Sequence, residues 1–209
     1  MRYLISFSYD GSNFNGYQKQ EGLRTIEEEL EKALKFINNN QDTPLFSSGR
    51  TDKGVHALKQ KAHFDIDVEI TEYKLKRALN SNLPLDIHVN DAKIVNDDFH
   101  ARYMVKEKTY EYVLNMGEFN PIERNYVFQY GKKLNIEEMQ KAIKFFIGKH
   151  NFKSFTPTKD VRNNYVREIY DAKIISNHDK LIIRFTANGF IKYQIRNMVG
   201  YLIKVGEGK

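Results

Sequence analysis

A coarse succession of strand, helix, strand and strand recurs in both halves of this 209-residue chain, although no repeat of fixed short period accompanies it. Alternating polar and apolar residues predict the strands, and apolar residues three and four positions apart predict the helices. The predicted strands cover residues 3–9, 44–48, 62–68, 87–95, 103–115, 167–175 and 181–187. The predicted helices open at Thr25, Thr71 and Asn135, and a last one presents Ile191, Ile195, Met198 and Leu202 along one face. The chain is therefore expected to mix helices and strands in two comparable halves.

The strand predicted at 62–68 carries an expectation about burial. Phe64 and Ile66 alternate with His63 and Asp65, which is typical of a half-buried strand. Successive side chains of a strand point to opposite faces of the sheet. We therefore expect the polar set, with His63, to face solvent.

Composition restricts the classes of function. Hydrophobic residues make up 41% of the sequence, and 13 Tyr and 14 Phe supply large side chains for a sizeable core. The absence of cysteine excludes a disulfide framework, a thiolate nucleophile and a cysteine-based zinc site. Lys and Arg outnumber Asp and Glu by 33 to 27. The net charge of +6 suits a polyanionic partner such as nucleic acid, although basic enzymes with small substrates also exist.

The first residues and the apolar runs bear on location. Residues 1–6 lack the apolar core of a secretory signal peptide. No apolar run has the length needed to cross a bilayer. We expect a cytoplasmic protein with no membrane partner.

The most charged glycine-containing loop of the chain follows the strand predicted at 44–48. It reads Ser48-Gly49-Arg50-Thr51-Asp52-Lys53-Gly54-Val55-His56-Ala57. Asp52 is its only carboxylate, and a cation two residues away, Arg50, favours the ionised form. Such a carboxylate on a tight loop can act as an oxygen nucleophile or as a base. An ordinary Asp-Lys-Gly turn is the alternative interpretation.

The residues 49–57 resemble without interruption the signature of the tRNA pseudouridine synthase A family, in which the Asp is the nucleophile. Other blocks resemble the same family in the same order along nearly the whole chain. They are Tyr9-Asp10-Gly11-Ser12-Asn13-Phe14-Asn15-Gly16-Tyr17-Gln18, then Phe99-His100-Ala101-Arg102, then Gly148 to Phe155, and last Gly189 to Gly200. The third block has Asn151 where the family commonly has Asp.

The resemblance implies an α+β protein of the pseudouridine synthase fold. Two related, ferredoxin-like halves, 1–104 and 105–209, would flank a central cleft on one continuous, mixed and mainly antiparallel sheet. It also implies isomerisation of uridine to pseudouridine at positions 38, 39 and 40 of the tRNA anticodon arm, by a homodimer that needs no cofactor and no metal. The family continues beyond the stretch that matches 205–208, so we expect a truncated second half.

The resemblance also assigns roles to individual residues. Asp52 would be the nucleophile, Arg196 its ion-pair partner and Tyr110 the ring that packs on the target base. Without the resemblance, Tyr110 and Tyr112 lie on one strand face, are typical of core or cross-strand packing, and cannot be told apart. Arg196 could be an ordinary surface residue whose stem lies on apolar neighbours. The RNA-binding residues would be Tyr9, Asp10, Phe14, Gln18, Arg50, Thr51, Lys53, His56 and Arg102.

Several alternatives remain open from the residues alone. The aromatic residues of 9–18 could stack on bases or merely anchor a turn. The stretch 151–167, with Lys153, Lys159, Arg162 and Arg167 among aromatic residues, could contact RNA or be a solvated loop.

Other classes of function also compete. A non-catalytic RNA-binding protein of the same fold would not need Asp52, Tyr110 and Arg196 together. A glycosidase- or lyase-like enzyme would need a second carboxylate, and the turn interpretation of Asp10 is favoured over that role. The residues allow Asp52 to attack either the base or the sugar carbon.

Overall fold

The computed structural model describes residues 1–157 and 164–209. Lys159 and Arg162, for which an RNA contact and a solvated loop were both left open, lie outside the described residues. The chain divides into two compact units, Met1–Val105 and Lys106–Lys209. Each unit has its own buried apolar cluster. The expected α+β class is confirmed, and the described strands of each unit form one hydrogen-bonded sheet.

The first unit is a four-stranded antiparallel sheet with two helices. Its strands have the order β2-β3-β1-β4. The elements are β1 (Arg2–Tyr9), α1 (Ile26–Ile37), β2 (Phe46–Ser47), β3 (Ala57–Asp65), α2 (Glu72–Asn82) and β4 (Ile87–Ile94). Alternate residues of β1, Tyr3, Ile5 and Phe7, are fully buried and form the core with the helices. The alternation predicted for this strand is therefore confirmed.

Both helices of the first unit begin at the predicted threonines. The Oγ1 atom of Thr25 accepts a hydrogen bond from the backbone N–H of Glu28, and Thr71 does the same for Lys74. A side-chain acceptor at this position satisfies one of the backbone N–H groups that a helix start leaves unpaired. Local sequence therefore sets the starts of α1 and α2.

The strand that leaves the charged loop differs from its prediction in two ways. It begins at Ala57 and ends at Asp65, so it starts earlier and is shorter at its far end than 62–68. His63, expected to face solvent, is only 2% exposed. The reason is a second cover: its ring packs against Phe46 and against His100 of the segment that follows β4.

The described residues of the second unit form a five-stranded sheet of order β6-β5-β9-β8-β7. Its elements are β5 (Lys108–Asn115), β6 (Phe128–Gln129), α3 (Ile136–Ile143), β7 (Gly148–Asn151), β8 (Val166–Asn177), β9 (Lys180–Ala187) and α4 (Gln194–Gly206). Among the strands that the structure describes here, only the β5–β6 pair is parallel, so the expected mixed, mainly antiparallel arrangement is confirmed. Residues 103–107, expected to be part of β5, precede it.

The core of the second unit lies between its sheet and the helices α3 and α4. Met139 of α3 and Met198 and Leu202 of α4 are fully buried. Ile191, expected on the face of α4, precedes the helix, which begins at Gln194. Within 1–157 and 164–209, no helix combines the length and the apolar character needed to cross a membrane.

Candidate functional site

The loop 48–56 joins the two neighbouring strands β2 and β3, and β3 braces its first residues. The Nε2 atom of Gln60 donates to the carbonyl oxygen of Gly49 at 2.7 Å. The Oε1 atom of the same side chain accepts from the hydroxyl of Ser48, also at 2.7 Å. Gln60 thus uses both ends of its amide on the loop. No sequence pattern singles out Gln60, because its amide lies on a strand and its partners depend on the fold of the loop.

The segment 9–18 holds the middle of the same loop at Thr51. The backbone N–H of Tyr17 donates to the carbonyl oxygen of Thr51 at 3.1 Å. The hydroxyls of Tyr9 and Thr51 form a hydrogen bond at 2.8 Å. Both the backbone and the side chain of Thr51 are therefore fixed next to Asp52. Tyr9 is only 4% exposed, so its position indicates that it holds the loop.

Two glycines of this segment are in close contact with the loop backbone. Gly16 has a φ of +99°, and a Cβ there would lie 3.2 Å from the carbonyl oxygen of Thr51 and 3.4 Å from the nitrogen of Lys53. A Cβ on Gly11 would overlap the carbonyl oxygen of Val55 at 2.1 Å. Glycine permits both approaches because it has no side chain. The two segments that resemble the family are thus packed backbone to backbone.

Asp10 and His56 meet at the end of the loop. The Oδ1 atom of Asp10 accepts from the N–H of Ser12 at 2.9 Å and from its hydroxyl at 2.6 Å. The Nδ1 atom of His56 accepts from the N–H of Gly11 and lies 3.0 Å from the same oxygen of Asp10. Asp10 therefore caps a turn, in agreement with the turn interpretation, and His56 ties that turn to the loop.

Asp52 itself is half-buried at the turn of the loop. Its carbonyl oxygen accepts from the N–H of Val55 at 3.2 Å, and Gly54 takes a φ of +75° to complete the turn. Arg50 and Lys53 on either side are exposed. The arrangement presents one carboxylate and two cations on a loop that is anchored along its length. A carboxylate on a loop anchored in this way has a restricted range of positions relative to anything that binds beside it.

The remaining RNA-contact candidates of the first unit differ in exposure. Phe14 is 1% exposed, and the guanidinium of Arg24 lies 4.0 Å from its ring centre. This burial favours the alternative in which Phe14 anchors a turn. Gln18 and Arg102 are exposed.

In the second unit, Arg196 lies in the first turn of α4, where the helix dipole does not favour a cation. Gln194 is the first residue of the helix, and the first turn contains no acidic residue. A helix start carries partial positive charge, so a cation there gains nothing from the helix dipole. Arg196 is exposed rather than buried, and its guanidinium carbon lies 5.9 Å from the ring centre of Tyr193. Helix stability therefore does not explain this arginine.

The residue before α4 has an uncommon backbone conformation. Tyr193 has a φ of +62°, in the left-handed region. Non-glycine residues adopt this region rarely, and such strain clusters at functional sites. The buried side chain of Gln194 supports the bend, because its Oε1 accepts from the N–H of Ile191 at 2.9 Å. The turn that leads to Arg196 is thus held by a strained residue and a buried amide.

The two tyrosines of β5 are both half-buried but have different neighbours. Tyr110 packs edge-to-face on Phe190 with 5.3 Å between ring centres. Tyr112 packs on Phe128 at 6.3 Å. Burial raises the pKa of the Tyr112 hydroxyl, and the positive charge of Arg196 opposes that shift. Tyr110 thus lies beside the start of the block 189–200, and Tyr112 lies within the field of Arg196.

Arg167, at the start of β8, is a half-buried cation that the sequence analysis named only among the basic and aromatic residues of 151–167. Its guanidinium donates to the carbonyl oxygens of Asn164 and Val166 at 2.8 and 2.7 Å. Burial lowers the pKa of this guanidinium.

Among the residues that the structure describes, no group of three or more His, Asp or Glu side chains is arranged to hold a metal ion.

Comparison with known proteins identifies the family. A family model described as tRNA pseudouridine synthase matches residues 5–104 and 142–209. A protein named tRNA pseudouridine synthase A from Limosilactobacillus fermentum is 44% identical over 213 aligned residues, which cover 100% of this chain and 83% of that protein. Its namesakes from Streptococcus agalactiae and Streptococcus pyogenes are 44% and 43% identical, with 82% and 85% of their length covered. The chain belongs to the tRNA pseudouridine synthase family.

Proposed function

We propose that this protein isomerises uridine to pseudouridine in the anticodon arm of tRNA, at positions 38, 39 and 40. The observation that carries the proposal is the uninterrupted loop 49–57, anchored around Asp52 in a chain that belongs to this family. The reaction replaces the bond from N1 of uracil to C1′ of ribose with a bond from C5 to C1′. The proton leaves C5, and N1 gains one, so no atoms or electrons are lost overall.

Asp52 supplies the nucleophilic oxygen in this proposal. Its carboxylate forms a transient covalent bond with the target nucleotide, and the bond breaks again when the C5 linkage has formed. The free base has to stay in place and turn between these steps. A half-buried carboxylate on an anchored loop is suited to this task, because the loop does not need to reorganise during the reaction.

Arg196 and Tyr110 complete the proposed site from the second unit. Arg196 would pair with Asp52, keep it ionised and direct it towards the nucleotide. The proposal is supported by the position of Arg196 at a helix start, which helix stability does not explain. Tyr110 would stack on the uracil and assist proton transfer.

The exposed cations of the loop would engage the RNA. A base inside or at the edge of a stem has to leave the stack before it can react, at a cost of a few kcal/mol. Arg50 would occupy the vacated space, and Lys53 and Arg102 would contact phosphates. Binding should therefore weaken as the salt concentration rises.

A tRNA substrate would place the protein in the cytoplasm, and we propose that it acts as a homodimer.

Tritium release tests the proposal directly. Transcribed tRNA with tritium at C5 of uridine is incubated with the protein and with the variants Asp52→Ala and Asp52→Asn. We expect release by the unaltered protein and none by either variant, with tRNA binding retained in all three. Asp42→Asn is the matched control, because Asp42 is an exposed surface residue paired with Lys35.

Each alternative function has its own product. A non-catalytic RNA-binding protein would bind the tRNA and release no tritium. A glycosidase-like enzyme would release free uracil that still carries its tritium at C5, so that no tritiated water would form. Either result from the unaltered, folded protein would overturn the proposed function.

A further inference from the structure

Two consecutive backbone N–H groups at Arg102 are each held by a histidine ring. The N–H of Ala101 donates to the Nδ1 atom of His63 at 3.2 Å. The N–H of Arg102 donates to the Nδ1 atom of His100, also at 3.2 Å. The two imidazoles touch each other, with 4.7 Å between ring centres and an angle of 61° between the planes. The conformation of the chain at Arg102 is therefore set by a pair of histidines.

The same segment is fixed to the sheet upstream of the histidines. The guanidinium of Arg2 donates to the carbonyl oxygens of Asp97 and Phe99, the latter at 3.0 Å. Its other nitrogens pair with the carboxylate of Asp65 at 2.9 and 2.8 Å. Side chains of β1 and β3 thus hold three alternate backbone groups, at 97, 99 and 101. These regularly spaced contacts hold the segment 97–101 against the sheet.

A histidine at position 63 does what an apolar residue could not do there. The residue is 2% exposed, and its ring is stacked on Phe46 at 5.1 Å. A buried N–H without an acceptor is costly, so the N–H of Ala101 needs a partner at this point. A neutral imidazole with its proton on Nε2 supplies that acceptor and still packs as a ring. Apolar packing alone would leave the segment without its last contact.

The side chain that this arrangement presents is a cation. Arg102 is exposed. Within the part of the chain that the structure describes, no carboxylate forms an ion pair with it. Arginine suits phosphate, because its planar group donates several hydrogen bonds in a fixed geometry. The fixed backbone limits the directions in which this side chain can reach.

We propose that His63 and His100 are positioning residues that hold the backbone at Arg102 so that its guanidinium meets a phosphate of the bound tRNA. This inference rests on the proposed function for the identity of the ligand. In this arrangement neither histidine contacts the RNA, and both act through Arg102. Each needs an unprotonated Nδ1, since a protonated ring has no acceptor.

A double-mutant cycle separates positioning from a merely structural role. The equilibrium binding of transcribed tRNA is measured for His63→Phe, Arg102→Ala and the double variant at several salt concentrations. We expect Arg102→Ala to weaken binding roughly tenfold and to reduce the salt slope by about 1. His63→Phe keeps a ring but removes the acceptor, so it should have a similar effect alone and almost none when added to Arg102→Ala.

Rescue by a conservative change is the second readout. The Oδ1 atom of an asparagine occupies nearly the position of histidine Nδ1, so His63→Asn should recover most of the affinity that His63→Phe loses. The turnover rate at saturating tRNA should stay close to that of the unaltered protein in both variants, with the loss confined to KM. His88→Phe is the control, because His88 is an exposed histidine on β4 of the same sheet.

The outcomes distinguish this inference from the proposed function. If the effects of His63→Phe and Arg102→Ala on affinity add, or if His63→Asn binds no better than His63→Phe, the positioning inference is wrong, whatever the activity. If the unaltered protein binds tRNA but forms no pseudouridine, the proposed function fails and the affinity cycle still decides the inference. A protein that does not bind tRNA overturns both. If His63→Phe does not fold, the pair His100→Phe and His100→Asn is read in the same way.

Discussion

The backbone N–H of Tyr17 donates a hydrogen bond to the carbonyl oxygen of Thr51 at 3.1 Å, and this contact fixes the peptide next to Asp52. The two residues are 34 positions apart (51 − 17) in the chain. The contact is possible because Gly16 has no side chain and lies directly against the loop. A Cβ atom on Gly16 would lie only 3.2 Å from the same oxygen. The candidate nucleophile is therefore held by a second segment as well as by its own turn.

The packing of Gly16 predicts a sharp effect of a single methyl group. Gly16→Ala should destabilise the fold by about 1–3 kcal/mol, because alanine is strained at a φ of +99° and its Cβ would press on the loop. The turnover rate should fall with it, since the peptide next to Asp52 must shift. Urea unfolding and tritium release measure the two effects.

Gly22→Ala is the matched control for Gly16. Gly22 also has a positive φ, +72°, but an added Cβ would meet nothing within 4 Å. We expect the free energy of unfolding to fall by about 1 kcal/mol because of backbone strain, and the turnover rate to stay unchanged. Equal losses of activity in the two variants would contradict the role assigned to Gly16.

The tyrosines of β5 offer a paired test of the proposed site. Removing one hydroxyl by Tyr110→Phe should lower the turnover rate, because the proposed proton transfer loses a group, while ring packing on Phe190 persists. Tyr112→Phe should leave the rate near that of the unaltered protein, since Tyr112 packs on Phe128 and has no proposed role. Single-turnover tritium release is the measurement. A larger effect at Tyr112 would reverse the assignment.

The pH dependence of stability should contain a contribution from His63. Burial lowers the pKa of His63, with the charges of His100 and Arg2 acting in the same direction, against Asp65 and the backbone of Phe46. The unfolded chain then binds the proton more readily than the folded chain, so stability rises with pH in this range. The contribution is complete above the unfolded pKa of about 6.5 and is lost as the pH falls through the lower, folded value.

Comparison with His63→Asn isolates that contribution from the other titrating groups. Urea unfolding is followed between pH 5 and 8 for both proteins. The unaltered protein should lose more of its free energy of unfolding towards acid pH than His63→Asn does. Parallel curves for the two proteins would show that His63 does not titrate differently in the folded and unfolded states.

Replacing each of the two glycines of α4 by alanine should change the free energy of unfolding in opposite directions. A Cβ on Gly206 would lie 2.7 Å from the sulfur of Met139 and 3.1 Å from the Cβ of Leu134, so overpacking should cost about 1–3 kcal/mol. A Cβ on Gly200 would meet nothing, so Gly200→Ala should stabilise the helix by about 0.5–1 kcal/mol. Chemical unfolding of both variants checks the signs. The same sign in both would contradict the packing of α3 on α4.

The family and the local elements could be predicted from the sequence. The blocks at 49–57 and 189–200 carry the resemblance, and the comparisons confirm the family. Thr25 and Thr71 were expected to begin helices, and they do. Strand alternation in β1 was also predicted correctly. These features depend on residues within one or two turns of each other, so a single stretch of sequence contains the information.

Most of the elements, their order and the chemical groups that match the family can thus be predicted from the sequence, whereas the short strands β6 and β7 cannot. The burial of His63, the cover of Arg24 over Phe14 and the hydrogen bonds of Gln60 to the loop of Asp52 depend on tertiary packing. The same packing leaves Arg196 exposed at a helix start. The physical reason is that burial and hydrogen-bond partners depend on which distant segments pack together, whereas caps and alternation depend on neighbours along the chain.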